Sequence, residues 1–212
     1  MTFHPIELRA ASRRLSIAAA FVALSGLAVG ACSPAPSPSL PSASAPSSTA
    51  TPTVRASTTS SAKVLVDPSL LEILPADVEG VPIVAEPDTA TQLATDPSLA
   101  GEVEALAMAL AVDSSSSRED LAIVSVVRLR PGLIGDEFFR SWRDTYDGAA
   151  CAPAGGVAGN AEAEMGGRRV FIGSCTGGAF TYHVIHSGDV IVSITSVGDR
   201  RFGEGIVSNL GG

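Results

Sequence analysis

The sequence predicts an α+β domain, with an antiparallel sheet of about four to six strands packed on one face by about three or four helices. Three observations carry this expectation. Two segments after residue 156 read as β-hairpins, apolar residues recur at helical spacing over 99–110 and 135–146, and the stretch 63–212 has the commonest length for a single domain.

Ahead of that domain the chain of 212 residues is organised differently. Arg9, Arg13 and Arg14 precede an uncharged run over 15–31 that ends in Gly30 and Ala31, the pattern of a secretory signal. At about 1.5 Å of rise per residue, the run only just reaches the length of a spanning helix. Val29-Gly30-Ala31-Cys32 then resembles the lipobox of bacterial lipoproteins, in which a branched apolar residue and two small ones precede a cysteine. The resemblance implies that 1–31 is removed as a lipoprotein signal peptide and that Cys32 carries a thioether-linked diacylglycerol with palmitate-like chains. Two or more acyl chains give an attachment that a single chain does not, since each buried methylene contributes about 0.8 kcal/mol. The expected location is the extracytoplasmic side of the cell membrane.

Residues 33–62 contain 10 Ser, 5 Thr, 6 Pro and 6 Ala, with Arg55 as the single charge. Such a composition buries too little apolar surface to offset the entropy of ordering the chain. With Cys32 it reads as a lipid-anchored, disordered tether over 32–62, about 90 Å long if held in polyproline II and roughly 30 Å as a coil. Signal, anchor, tether and one compact domain together resemble the cell-envelope lipoproteins of GC-rich bacteria.

The domain at 63–212 holds 21 acidic and 10 basic residues, a net charge of −11 against −8 for the whole chain. That charge disfavours nucleic acid and anionic lipid surfaces as ligands and suits cations or basic partners. With Cys32 assigned to the anchor, Cys151 and Cys175 form an even pair in an exported domain, which reads as a disulfide.

Asp67-Pro68 supplies an N-cap and a first-turn proline for one or two helical turns over 68–74, stopped by Pro75. Val81 to Ala85 reads as extended edge structure, and 88–95 as a further helical turn. Asp96-Pro97 repeats the start signal, and Leu99, Val103, Leu106 and Leu110 lie on one side of a helix with alanines between them. Residues 121–129 are β-branched and nearly continuous, hence a central strand. A helix over 135–146 places Phe139, Trp142 and Tyr146 on one stripe, with Arg140, Arg143, Asp144 and Asp147 on the other side.

Gly166-Gly167 turns a hairpin between 157–165 and 168–175, with Met165 opposite Arg168 and Ala158 opposite Cys175. A second hairpin pairs 179–186 with 190–197, and a short helix carrying Phe202, Ile206 and Leu210 closes the chain, with Asp199 as candidate N-cap.

Every histidine after the signal lies in His183-Val184-Ile185-His186. Residues three apart on a strand point to opposite faces, so the two do not converge on one metal ion, and no metal or cofactor site is expected. Asp189 and Ser187 near His186 complete a Ser/His/Asp inventory at a hairpin tip, where nothing excludes water. One half-buried and one surface histidine is the expected outcome. Glu162 and Glu164 with Arg168 and Arg169 read as cross-strand charge pairs. The glycines and serines over 173–178 read as a recognition loop.

The expected function is binding of an envelope protein or small molecule by a non-catalytic domain. A hydrolase or metal-dependent enzyme using His183 or His186 is the alternative, and a purely structural envelope protein the third.

Overall fold

The structure, a computed structural model, describes residues 63–115 and 120–211. The signal peptide, Cys32 and the tether lie outside the described residues. Short elements come first: β1 (Leu65–Val66), a 3₁₀ helix (Pro68–Ile73), β2 (Asp77–Val78), β3 (Val81–Pro82), β4 (Val84–Ala85) and α1 (Pro87–Leu93). Asp67 caps the 3₁₀ helix as its sequence implied, its carboxylate accepting the Ser69 N–H at 3.1 Å. Long elements follow, β5 (Val103–Asp113), β6 (Asp120–Leu129), α2 (Asp136–Cys151), β7 (Val157–Met165), β8 (Arg168–Cys175), β9 (Phe180–Ser187) and β10 (Val190–Val197), and then the short α3 (Phe202–Ser208).

Eight strands form one mixed sheet in the order β1-β5-β6-β10-β9-β8-β7, with β4 also paired to β5. β1 runs parallel to β5, while the long strands pair antiparallel. The expected α+β architecture is therefore corrected: the domain is mostly β, with ten strands among the described residues and few, short helices. The helices are also not confined to one face.

The largest single difference is β5. Its residues were expected to form a helix, and its alanines favour one. Yet Ala105, Ala107, Ala109 and Ala111 alternate with Leu106 and Met108, a period of two. The alanine face packs with Leu70 of the 3₁₀ helix and Phe202 and Ile206 of α3, and the Leu106 and Met108 face packs with Ala90 of α1 and Phe139 of α2. Pairing along the whole length of β6 satisfies the backbone, and burial on both faces outweighs a few tenths of a kcal/mol per residue of helix propensity. The Asp96-Pro97-Ser98 signal forms only a turn, with the Asp96 carboxylate accepting the Ser98 N–H at 2.8 Å.

Both hairpins form where the glycine turns placed them. Gly166 and Gly167 have φ of 55° and 72°, the left-handed pair that a two-residue turn of this twist requires. Met165 faces Arg168 as expected, but a bulge between Val157 and Gly159 brings Val157, not Ala158, opposite Cys175. Cys151 and Cys175 are bridged, with Cα atoms 5.0 Å apart. The N-cap position of α3 is Arg201 at φ 49°, not Asp199. The preceding Arg200 anchors this corner, donating from its backbone N–H to Asp120 at 3.0 Å and from its guanidinium to Glu79 and Asp113.

Candidate functional site

Strand register lays two rows of residues, most of them polar, beneath α2. One row runs Ser125, Ser193, His183, Phe171 and Glu162 across β6, β10, β9, β8 and β7. The neighbouring row runs Ile123, Thr195, Thr181, Gly173 and Asn160. The helix crosses these rows with Trp142, Tyr146 and Asp147, which hydrogen-bond to the strands, while Phe139 of the same helix packs on Phe171 at 5.2 Å between ring centroids.

Asp147 is the hub. Its Oδ1 accepts from Thr181 Oγ1 at 2.6 Å and lies 2.7 Å from His183 Nε2. His183 Nδ1 lies 3.1 Å from Ser193 Oγ, which also accepts the Trp142 indole N–H at 3.3 Å. An ionised carboxylate only accepts, so Nε2 carries the proton facing Asp147, and in the neutral imidazole Nδ1 is then left to accept from the Ser193 hydroxyl, whose oxygen takes the indole N–H. Protons thus point one way along the chain Trp142, Ser193, His183, Asp147. Tyr146 stands edge-on to the His183 ring at 5.1 Å, with its hydroxyl 3.1 Å from Thr195 Oγ1. Burial pushes the Tyr146 phenol up to about 12; the Thr195 hydrogen bond opposes this and the Asp147 charge adds to it.

The cluster is sealed. His183 is 0% exposed, Ser193 1% and Asp147 2%. Asp147 Oδ2 is buried against Gly173 with no hydrogen-bond partner among the described residues. Asp147, His183 and Ser193 follow the order of a hydrolytic relay, but nucleophilic use of Ser193 needs a path for substrate and donors for an oxyanion. Trp142 covers the serine instead. The apolar groove lined by Pro68, Leu71, Leu74, Ile83 and Ala109 borders the alanine face of β5, away from these groups. What the arrangement does in this state is fix the helix to the sheet.

The residues singled out from sequence are not brought together. His183 enters the cluster, fully buried where half-burial was expected. His186 points to the other face and holds the end of the chain, its Nε2 2.6 Å from the Gly211 carbonyl, to which Arg168 Nη2 also donates at 2.9 Å. Ser187 Oγ lies 3.4 Å from His186 Nδ1. Asp189 serves through its backbone carbonyl, which accepts the Leu129 N–H at 2.8 Å. No hairpin-tip triad forms. The expected recognition loop over 173–178 is corrected as well, because 173–175 belong to β8 and Gly173 is covered by α2; only Thr176 to Gly178 are exposed. Among the described residues no group of three or more His, Cys, Asp or Glu side chains is placed to hold a metal ion.

Asp147 and Arg143 are the residues that sequence reasoning placed wrongly, on the outer side of α2: Asp147 is buried, and the Arg143 guanidinium lies over the Phe171 ring of β8, 4.9 Å from its centroid. The signal was present in the spacing: Phe139, Arg143, Asp147 and Cys151 lie four apart, and a bridged Cys151 forces that stripe toward β8. No protein-family model, curated protein or solved structure matches this chain.

Proposed function

We propose that the protein is a lipoprotein held on the outer side of the cell membrane through Cys32, whose domain binds an envelope component and does not catalyse a reaction. The observation that carries the non-catalytic reading is the sealing of Asp147, His183 and Ser193 beneath Trp142 and Tyr146. Ser193, His183 and Asp147 Oδ1 are joined to one another within the protein, and Asp147 Oδ2 is buried against Gly173 rather than open to a ligand. The Cys151–Cys175 bridge supports an oxidising compartment, and the net charge of −11 on the domain favours partners of opposite charge.

Two measurements on full-chain protein purified from its native membrane test the proposal. Mass spectrometry of the N-terminal peptide is expected to find a diacylated Cys32, and an unmodified cysteine sinks the anchor. A fluorophosphonate probe is expected to leave Ser193 unlabelled. Labelling of Ser193 that disappears in His183→Ala, in a variant that stays folded, establishes a hydrolase instead.

A further inference from the structure

The two edges of the sheet differ. On one side β5 is covered by β1 and β4; on the other β7 ends the sheet, nine residues long and exposed over most of its length. The two-residue turn makes Met165 and Arg168 a hydrogen-bonded pair, and antiparallel alternation then directs the backbone N–H and C=O of Asn160, Glu162 and Glu164 away from β8. These residues share one face of the sheet. Arg169 pairs with Glu162, while Glu164 has no ion-pair partner among the described residues. The other face of β7 carries Ala161, Ala163 and Met165, the last packed against the α3 core.

We infer that the outer edge of β7 is a docking edge for an extended segment of a partner protein, added as a further antiparallel strand with basic residues on one face and apolar residues on the other. This deepens the binding reading above and rests on it. The backbone supplies three residues with donors and acceptors directed outward, at 160, 162 and 164. Glu164, which has no ion-pair partner among the described residues, selects a basic side chain on the α2 side, Glu162 adds its charge beside Arg169, and Ala161 and Ala163 leave room for apolar side chains on the α3 side. A second copy of the domain is a poor occupant, because it brings a further charge of −11 and no basic residue of its own β7. β7 also lacks the lysine and proline that commonly block strand addition.

The test uses the full chain in detergent and a synthetic ten-residue peptide of alternating lysine and valine. Saturable binding is expected by fluorescence anisotropy, weakening as salt rises. Amide exchange is expected to slow at 160, 162 and 164 and to stay unchanged at 161 and 163, whose amides already bond β8. Asn160→Pro, which removes one outward N–H and leaves the β8 ladder intact, is expected to weaken binding at least tenfold. Glu162→Gln with Glu164→Gln is expected to weaken it severalfold and flatten the salt dependence. The inference is overturned if the peptide does not bind, if Asn160→Pro binds it normally, or if an unpatterned lysine peptide protects the same amides equally. Protection of those amides without peptide, rising with protein concentration, assigns the edge to self-association and overturns it too. A diacylated Cys32 with no protection at β7 refutes this edge alone, whereas an unmodified Cys32 refutes the anchored reading and leaves the edge result standing.

Discussion

The Asp147 carboxylate occupies the space that a side chain at Gly173 needs: a Cβ there falls 2.7 Å from Oδ2 and closer still to Thr181 Oγ1. Gly173 lies at the crossing of α2 and β8, and its missing side chain is what lets the helix approach closely enough for Asp147 to reach Thr181 and His183. Gly173→Ala is therefore expected to destabilise the domain by about 2 kcal/mol or more, through overpacking and loss of the hydrogen bonds beneath the helix. Urea unfolding of the variant measures it, and a loss under half that amount means that α2 shifts freely.

His183 and Asp147 should be strongly coupled. His183→Ala leaves the Asp147 carboxylate buried without its imidazole partner, a change that typically costs about 3–5 kcal/mol. Removing both groups leaves no stranded charge, so the Asp147→Ala, His183→Ala double variant is expected to lose clearly less than the sum of the single losses. Additive losses in the double-mutant cycle contradict the coupling.

The chain has two tyrosines, Tyr146 and Tyr182, and both titrate above the ordinary phenol value of 10.0 when folded, chiefly because burial disfavours phenolate. In Tyr182 the nearby Glu204 charge and hydrogen bond add to the effect. A raised folded value means stability that is complete below pH 10 and is lost as pH rises through the folded values, since the unfolded chain ionises first. Absorbance at 295 nm is expected to show no phenolate step near pH 10 and then a steep rise that coincides with loss of the near-ultraviolet dichroism. Tyr146→Phe should blunt the alkaline loss of stability. An independent step near pH 10 refutes the burial of either ring.

At the acid end the sign reverses. Hydrogen bonds from Ser115, then from Arg200, hold the Asp113 carboxyl below its ordinary 3.8, and Arg169 holds Glu162 below 4.5. Their contribution is present above those ordinary values and is lost as pH falls through the depressed ones. Acid unfolding of Asp113→Asn, followed by circular dichroism, is expected to depend less steeply on pH below 4 than that of the unaltered protein. Equal slopes remove Asp113 from the acid response.

The disulfide closes a loop between positions 24 apart and joins the end of α2 to β8, one helical turn beyond Asp147. Its removal in the Cys151→Ala, Cys175→Ala variant should cost about 3 kcal/mol by loop entropy. Because both ties act on the same end of α2, amide exchange should accelerate first over 147–151. Unchanged exchange there shows that the polar cluster holds the helix unaided.

Where an element depends on near neighbours, its residues alone determine it. Asp67-Pro68 makes the 3₁₀ turn, Gly166-Gly167 sets the hairpin register, Phe139, Trp142 and Tyr146 mark the inner face of α2, and the two domain cysteines pair. The tertiary structure decided the rest. An alanine-rich stretch becomes β5 only because β6 offers ten residues of backbone to pair with and packed layers wait on both faces, terms absent from any local window. Asp147 turns inward because a bridged Cys151, an empty position at Gly173 and two donors on β9 converge on it, and a buried carboxylate is tolerated only where distant strands supply those hydrogen bonds.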